Sequence, residues 1–407
     1  MTLAGESGTG GRALREGTRA DAVGGLVPAH VARPDGTEAL GRVMAAAARE
    51  RLSVVARGNG TALDWGGVPR RLDLLVDTTG LSWIEHIAGD LVVEVGAGTP
   101  VAELYGVLAA AGQRLSMDPV RTGGTVGGMV ATGVSGPRRL LSGALRDLVI
   151  GMTVVRADGV VARSGGRVVK NVAGYDLAKL HTGGLGTLGV VASVALRLHP
   201  LPPALRVVGR AMPSREHAER TLAALRRSTV VPSAVELDRP PEGPGHLRVV
   251  LEGTPGGVGP RVAETARLLG SDPEVADALP GGWGVLPTEG TLALVSVPPA
   301  ESVRAAAWVG ELSGAVNAAA HVTGSLPAGA LYVSFPRGTG AEAVGTVVDG
   351  VRSVPDWSMT LLRAEPRVHA AGVDLWGEVP GLPLMRAVKD SFDPGRRLAP
   401  GRFAGGI

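Results

Sequence analysis

The sequence predicts an α+β protein in two parts. The first covers residues 26–200 and the second, an α+β cap, covers residues 201–385; a C-terminal segment, 386–407, folds back on the first part. Three observations carry this. The 407 residues exceed what one hydrophobic core usually serves. Strand-like and helix-like stretches alternate from Val27 to about Pro200, where His199-Pro200-Leu201-Pro202-Pro203 breaks regular structure. Beyond that break, strands at Leu205–Arg210, Leu247–Glu252, Leu292–Val297 and Leu331–Phe335 alternate with helices, a texture that suits two diverged copies of one βα unit.

The elements follow in order. Residues 1–25 are small, polar and charged with no apolar h-region, and are expected as a flexible tail rather than a signal peptide. Thr37 is placed to cap a helix running to Arg51, with Leu40, Val43, Met44 and Ala47 on one face. Strands follow at Leu52–Ala56, Leu72–Asp77 and Leu91–Val95, then a helix over Val101–Ala111 stopped by Gly112. Leu148–Arg156 and Val160–Arg163 read as a hairpin turning at Ala157-Asp158-Gly159. A short helix around Tyr175–Leu180 precedes a last strand, Val190–Leu198. In the second part, Pro260 in the first turn and Gly270 as stop mark a helix carrying Val262, Ala266 and Leu269.

Composition removes several functions. Hydrophobic residues make up 44% and charged residues 19%, enough to build a core. The net charge, 41 − 38 = +3, and only 3 Tyr, 3 Phe and 6 Trp argue against nucleic-acid binding. Without cysteine there are no disulfides, thiolate metal sites, Cys-ligated iron–sulfur clusters or Cys nucleophile, so an electron carrier here has to be an organic cofactor. The longest uncharged run, Leu312–Pro336, holds Asn317, His321, Pro327 and several glycines and does not suit a bilayer. The expectation is a soluble, cytoplasmic protein.

Glycine, at 62 of 407 residues, is about twice ordinary usage and clusters in loops. Gly96-Ala97-Gly98-Thr99-Pro100-Val101 sits between strand and helix but lacks the third glycine of a dinucleotide fingerprint, and reads as a turn. Gly184-Leu185-Gly186-Thr187-Leu188-Gly189 has the letters G-x-G-x-x-G, yet a helix precedes it and a strand follows, so no helix N-terminus is offered to a pyrophosphate. The remaining pair is Arg57-Gly58-Asn59-Gly60-Thr61 and Gly123-Gly124-Thr125-Val126-Gly127-Gly128. Each alone is an ordinary turn. Together, as backbone nests open to close approach, they favour a phosphate-bearing ligand.

These loops, followed by Gly133, Gly136, Asp147, the Ala157–Gly159 turn, and Lys170-Asn171-Val172-Ala173-Gly174-Tyr175-Asp176-Leu177 running into Gly183–Gly189, resemble the FAD-binding domain of the vanillyl-alcohol-oxidase (PCMH) type. The tail, Asp393-Pro394 and Pro400-Gly401-Arg402, resembles the end of the glycolate and D-lactate dehydrogenase branch. The segment Gly128–Arg139, continuing to Gly143-Ala-Leu-Arg-Asp147, is similar to the family of FAD-binding E subunits of bacterial glycolate oxidases. The resemblance implies a two-subdomain PCMH-type FAD-binding domain with a cap over the isoalloxazine. It implies that Arg57, Gly58, Asn59, Gly60 and Thr61 hold the pyrophosphate. Pro119, Gly123, Gly124, Thr125, Gly127 and Gly128 would line the flavin's other side, with Gly133 and Gly136 close by and Val190 near the adenine. Some members of the superfamily tether FAD to a histidine in the first loop; this loop has none, so non-covalent FAD is expected.

Catalytic relatives in that branch carry a closely spaced histidine motif for a divalent metal. Here the eight histidines (His30, His86, His181, His199, His217, His246, His321, His369) show no helical or strand ligand spacing, so no metal site is expected and no catalytic base is assigned. His321, in an alanine-rich stretch, reads as a packed histidine, and Arg138-Arg139 as a solvated pair. Lys170, Tyr175 and Asp176 read either as a polar network beside the flavin or as a helix start. Two assignments stand. One is the FAD-binding subunit of a glycolate oxidase complex, working with a second FAD-binding subunit and an iron–sulfur subunit, peripheral to a membrane at most. The other is a self-sufficient FAD-dependent D-2-hydroxy-acid dehydrogenase.

Overall fold

The computed structural model describes residues 14–167 and 174–407. The chain opens with β1 (Arg15–Glu16), β2 (His30–Ala32), α1 (Thr37–Arg49), β3 (Val54–Arg57) and β4 (Leu74–Asp77), which form a sheet of order β1-β2-β4-β3. β4 runs parallel to both β2 and β3, and α1 crosses between them with Leu40, Met44 and Ala47 buried against the sheet. Residues 14–25 are not the loose tail expected. Arg15 and Glu16 pair with Val31 and His30, and buried Asp21 takes both Arg15 guanidinium nitrogens at 2.7 Å. Of its charges, Arg15 and Asp21 are partners of each other, and Asp21 is also a partner of Arg57. Gly36, not Thr37, is the N-cap of α1, and Thr37 is the helix's first residue.

A second, antiparallel sheet follows. It is built from β5 (Ile84–Ile87), β6 (Val92–Gly96), then, after α2 (Val101–Ala110), β7 (Gln113–Arg114), α3 (Val126–Thr132), α4 (Arg139–Ser142) and α5 (Leu145–Leu148), from β8 (Val149–Val155) and β9 (Val161–Gly165), and after α6 (Leu177–His181) from β10 (Val190–Arg197). The order is β5-β6-β10-β8-β9. Gly112 and Gly159, at φ 68° and 90°, supply the left-handed turns expected of them. The break at His199 is less complete than its prolines suggest, because β11 (His199–Pro200) pairs with β7.

The cap repeats one unit twice. β12 (Ala204–Met212), α7 (Arg215–Arg227), β13 (Ala234–Arg239), β14 (Gly245–Gly253), α8 (Pro255–Leu269) and β15 (Glu274–Ala276) form the first copy. β16 (Thr291–Ser296), α9 (Ser302–Ala315), β17 (His321–Ser325), β18 (Ala330–Phe335), α10 (Ala341–Arg352) and β19 (Ser358–Arg363) form the second. The strand order β15-β12-β14-β13-β17-β18-β16-β19 is a mirror image about the β13–β17 pair, so both copies share one topology and meet at their second strands. α8 starts five residues before Pro260. Thr254 caps it by accepting from the Gly257 amide at 3.3 Å, Pro255 takes the first-turn place, and Pro260 lies inside.

Alternation along the cap strands separates two faces. Val235, Leu247, Val249, Ala293, Val322 and Val333 face the helices and form the largest core. Glu236, Asp238, Arg248, His321 and Tyr332 lie on the other face, toward the first part, where Leu292 and Tyr332 pack with Trp65, Val120 and Val134. The chain then returns through α11 (Pro366–Ala370) and α12 (Leu382–Phe392) to the first part. There Leu398 bridges Val54 in parallel, and Arg397 reaches the carbonyls of Leu52 and Ala157.

Candidate functional site

The two glycine loops meet. A cleft of about 710 Å³ lies between them, lined by Arg57–Leu63, Thr125, Gly127, Gly128, the Leu185–Gly186 turn and Gly189–Val191. β3 delivers the first loop and α3 the second, and their contact sets which residues are possible. A Cβ on Gly58 would stand 2.1 Å from Thr125 Oγ1, and one on Gly127 would stand 2.9 Å from both Ala97 Cβ and its carbonyl oxygen. Gly60 sits at φ +77°. Asn59 Nδ2 donates to the Gly123 carbonyl at 2.9 Å, and the Thr125 hydroxyl accepts from the Gly128 amide at 3.3 Å.

The amides of Asn59, Gly60 and Thr61 find no acceptor among the described residues. Three successive free donors over glycine-opened space are what an anionic group requires. The Arg57 guanidinium is turned to Asp21 Oδ1 (3.1 Å) and Asp77 Oδ2 (3.2 Å). The hydrogen bonds from Arg15 first, and those from Thr18 and Arg57 with it, hold the Asp21 carboxyl well below the usual range despite its burial. Arg57 therefore arrives at the cleft with its charge already matched.

The other expected positions divide. Gly123 and Gly124 flank Thr61, where their Cβ positions would fall 3.9 and 3.3 Å from its side chain. Val190 lines the cleft beside Gly189. Gly133 ends α3 at φ +64° against Gly183, and Gly136 packs on the Asp118 backbone; neither lines the cleft. Pro119 is exposed between buried Asp118 and Val120. Lys170, Asn171, Val172 and Ala173 lie outside the described residues. Tyr175 is 90% exposed and Asp176 caps α6 through the Lys179 amide, so those two mark a helix start. The G-x-G-x-x-G run at Gly184 follows α6 and leads into β10, as its sequence context implies.

Two features were not legible beforehand. Arg402, from the returning C-terminal segment, lines the cleft while 3% exposed. On the cap, His321 is no packed core residue: its Nε2 lies 2.7 Å from Asp238 Oδ1, and Arg248 holds the other carboxylate oxygen at 2.8 Å. These three border a cleft of about 830 Å³ under the Pro280–Leu286 loop. Beside them Glu236 is buried with Oε1 unpartnered, and burial pushes its carboxyl well up. Among the described residues no three His, Asp or Glu side chains converge as a metal-ligand set.

Residues 28–165 match the FAD binding domain family. The chain thus carries a PCMH-type FAD-binding domain, and its cofactor is FAD. The glycine cradle, free amides and buried arginine fit that group. Among curated relatives, D-lactate dehydrogenase of Archaeoglobus fulgidus is 31% identical over 206 residues, 51% of this chain and 46% of that one. Glycolate oxidase subunit GlcE of Escherichia coli is 44% identical over 117 residues, 28% of this chain and 33% of that one. Glycolate oxidase subunit GlcD of Bacillus subtilis is 30% identical over 217 residues, 53% and 46%. The chain thus spans a third to a half of the length of these relatives. A solved structure of alkyldihydroxyacetonephosphate synthase shares the fold at TM-score 0.69 and 17% identity, over 92% of this chain and 76% of that one. No helix among the described residues is long and apolar enough to cross a membrane.

Proposed function

We propose that this chain is the FAD-binding subunit of a glycolate-oxidising complex. Glycolate becomes glyoxylate by loss of two electrons and two protons, and the electrons pass through flavin to a second FAD-binding subunit and an iron–sulfur subunit. The observation that carries this is the make-up of the flavin cleft. The titratable side chains lining it are Arg57 and Arg402, both cations, so among the described residues this cleft itself offers no group to take a substrate hydroxyl proton; Asp64, Asp77 and His369 border the adjoining space that shares the Arg57–Thr61 loop. The 44% identity to glycolate oxidase subunit GlcE over 117 residues supports the same reading.

FAD, when bound, supplies the acceptor for the electron pair. The chain's own residues bind and enclose it. The Asn59–Thr61 amides would hold its diphosphate, Gly58 and Gly127 would let the backbone come close, and Val190 would line the adenine end. No histidine stands in the first loop, so the cofactor is held without a covalent bond. The Asp238–His321 pair, with Arg248 beside it, favours a second reading: a self-sufficient D-2-hydroxy-acid dehydrogenase in which His321 takes the proton.

An anaerobic absorbance titration of the purified chain with glycolate separates the two. The expected result is a yellow protein whose flavin band stays unchanged until the partner subunits are added. Bleaching by glycolate in the lone chain overturns the subunit reading in favour of the second. A colourless protein that FAD cannot reconstitute overturns both.

A further inference from the structure

Arg402 is a buried cation, and among the described residues no carboxylate lies within 4.0 Å of it; the Asp64 carboxylate acts on it only from longer range. Two of its contacts are neutral: Nη2 donates to the carbonyls of Leu63 at 2.9 Å and Trp65 at 2.6 Å. Its Nε is buried with no acceptor among the described residues. The residue is nonetheless fixed in place, since Gly67 donates to its carbonyl at 2.9 Å and its own amide donates to Ala399 at 3.1 Å. A guanidinium taken out of water needs a counter-charge, and the other arginine lining the cleft, Arg57, already has two. Burial draws the Arg402 pKa down to about 10, which leaves it charged at neutral pH.

We propose that Arg402 is the counter-ion of the bound cofactor: its guanidinium takes up negative charge that FAD brings into the cleft. This rests on the reading of the cleft as the FAD site. FAD has two such charges, the diphosphate and the isoalloxazine ring once it is reduced, and the same cation chemistry serves either. The C-terminal segment is thereby part of the cofactor site rather than only a clasp.

The test uses the full chain stripped of flavin, as wild type, Arg402→Gln and Arg402→Lys. The glutamine keeps a donor for the Leu63 and Trp65 carbonyls, and the lysine keeps the charge. Circular dichroism melts of the apo proteins establish folding, and binding of FAD and of ADP is measured by titration. Loss of one charge-assisted contact predicts that Arg402→Gln weakens FAD by about tenfold or more, with partial recovery in Arg402→Lys. An equal loss for ADP assigns the charge to the diphosphate. Unchanged ADP affinity with a lowered flavin midpoint potential assigns it to the ring. Folded Arg402→Gln that binds FAD and ADP like wild type, with an unchanged potential, overturns the proposal. If Arg402→Gln does not fold, folded Arg402→Lys with wild-type FAD affinity supports it, and Arg402→Met folded with wild-type affinity overturns it. Wild-type apo protein that takes up no FAD instead overturns the underlying cleft assignment.

Discussion

Arg138 of the FAD-binding part donates its Nε–H to Glu252 of the cap at 3.0 Å, and Arg114 grips the same carboxylate through both oxygens at 2.7 and 2.8 Å. Arg138 also holds Asp118 through its backbone amide at 2.8 Å and its side chain. The carboxylates are 3% exposed and the arginines 14%, so this is a buried network joining the two parts, where the sequence suggested a solvated arginine pair.

Removing Glu252 leaves Arg114 buried without its carboxylate partner and Arg138 with Asp118 alone. Glu252→Ala is expected to cost about 3–5 kcal/mol in urea unfolding. Burial pushes the Glu252 carboxyl up, but hydrogen bonding and charge from Arg114 and Arg138 hold it down to about 2. Its folded value lies below its unfolded one, so its contribution is complete above about pH 4.5 and disappears as pH falls through 2. The stability difference between wild type and Glu252→Gln should shrink across that window. A difference that stays constant from neutral to acid pH contradicts the assignment.

Gly58 and Thr125 form the contact between the glycine loops. Gly58→Ala should reduce FAD retention, because its Cβ would collide with the Thr125 hydroxyl and push the loops apart. Removing that side chain should relieve the clash, so Gly58→Ala/Thr125→Gly is expected to hold more FAD than Gly58→Ala alone. Flavin-to-protein ratios after gel filtration measure this. Equal retention in Gly58→Ala and wild type would show that the loops do not form the cradle.

How much of this was legible follows from what each residue touches. The glycine loops could be read because a close backbone approach forces glycine locally, as at Gly58, and hairpins because Gly159 must turn left-handed. Arg138 and Arg402 could not, because their partners lie far along the chain: Glu252 is 114 residues from Arg138, and Leu63 is 339 from Arg402. His321 reads as a packed histidine because its neighbours in the sequence are apolar. On β17 alternate residues face opposite sides, so Val322 packs on the helices while His321 meets Asp238. The start of α8 was hidden by Gly256, Gly257 and Gly259, which read as loop although Thr254 supplies the cap.

The C-terminal segment is anchored by a buried ion pair. Lys389 Nζ donates to Asp393 Oδ2 at 2.8 Å and to the carbonyls of Thr187 at 2.7 Å and Leu398 at 2.9 Å, with both side chains 1% exposed. Asp393→Ala leaves the ammonium without a counter-charge and is expected to cost about 3–5 kcal/mol, whereas the double change Lys389→Met/Asp393→Leu should cost clearly less. Because Arg402 lies beyond this clasp, Asp393→Ala should also lose FAD. Chemical denaturation and flavin content, measured on the same samples, check both halves.

The last expectation concerns acid. His181 is 9% exposed, packs edge-on against Phe392 with centroids 5.7 Å apart, and burial draws its pKa down to about 4. The unfolded chain binds its proton near pH 6.5, so the fold, which keeps the ring neutral, loses stability as pH drops from 6.5 to 4 and no further below that. At 1.36 kcal/mol per pH unit the effect is at most about 3 kcal/mol. His199 and His369 are drawn down in the same direction by burial, so wild-type acid sensitivity alone does not isolate His181. The comparison with His181→Leu does. Its unfolding free energy should fall less between pH 6.5 and 4 than that of wild type, and parallel curves for the two would mean that the ring is not buried neutral against Phe392.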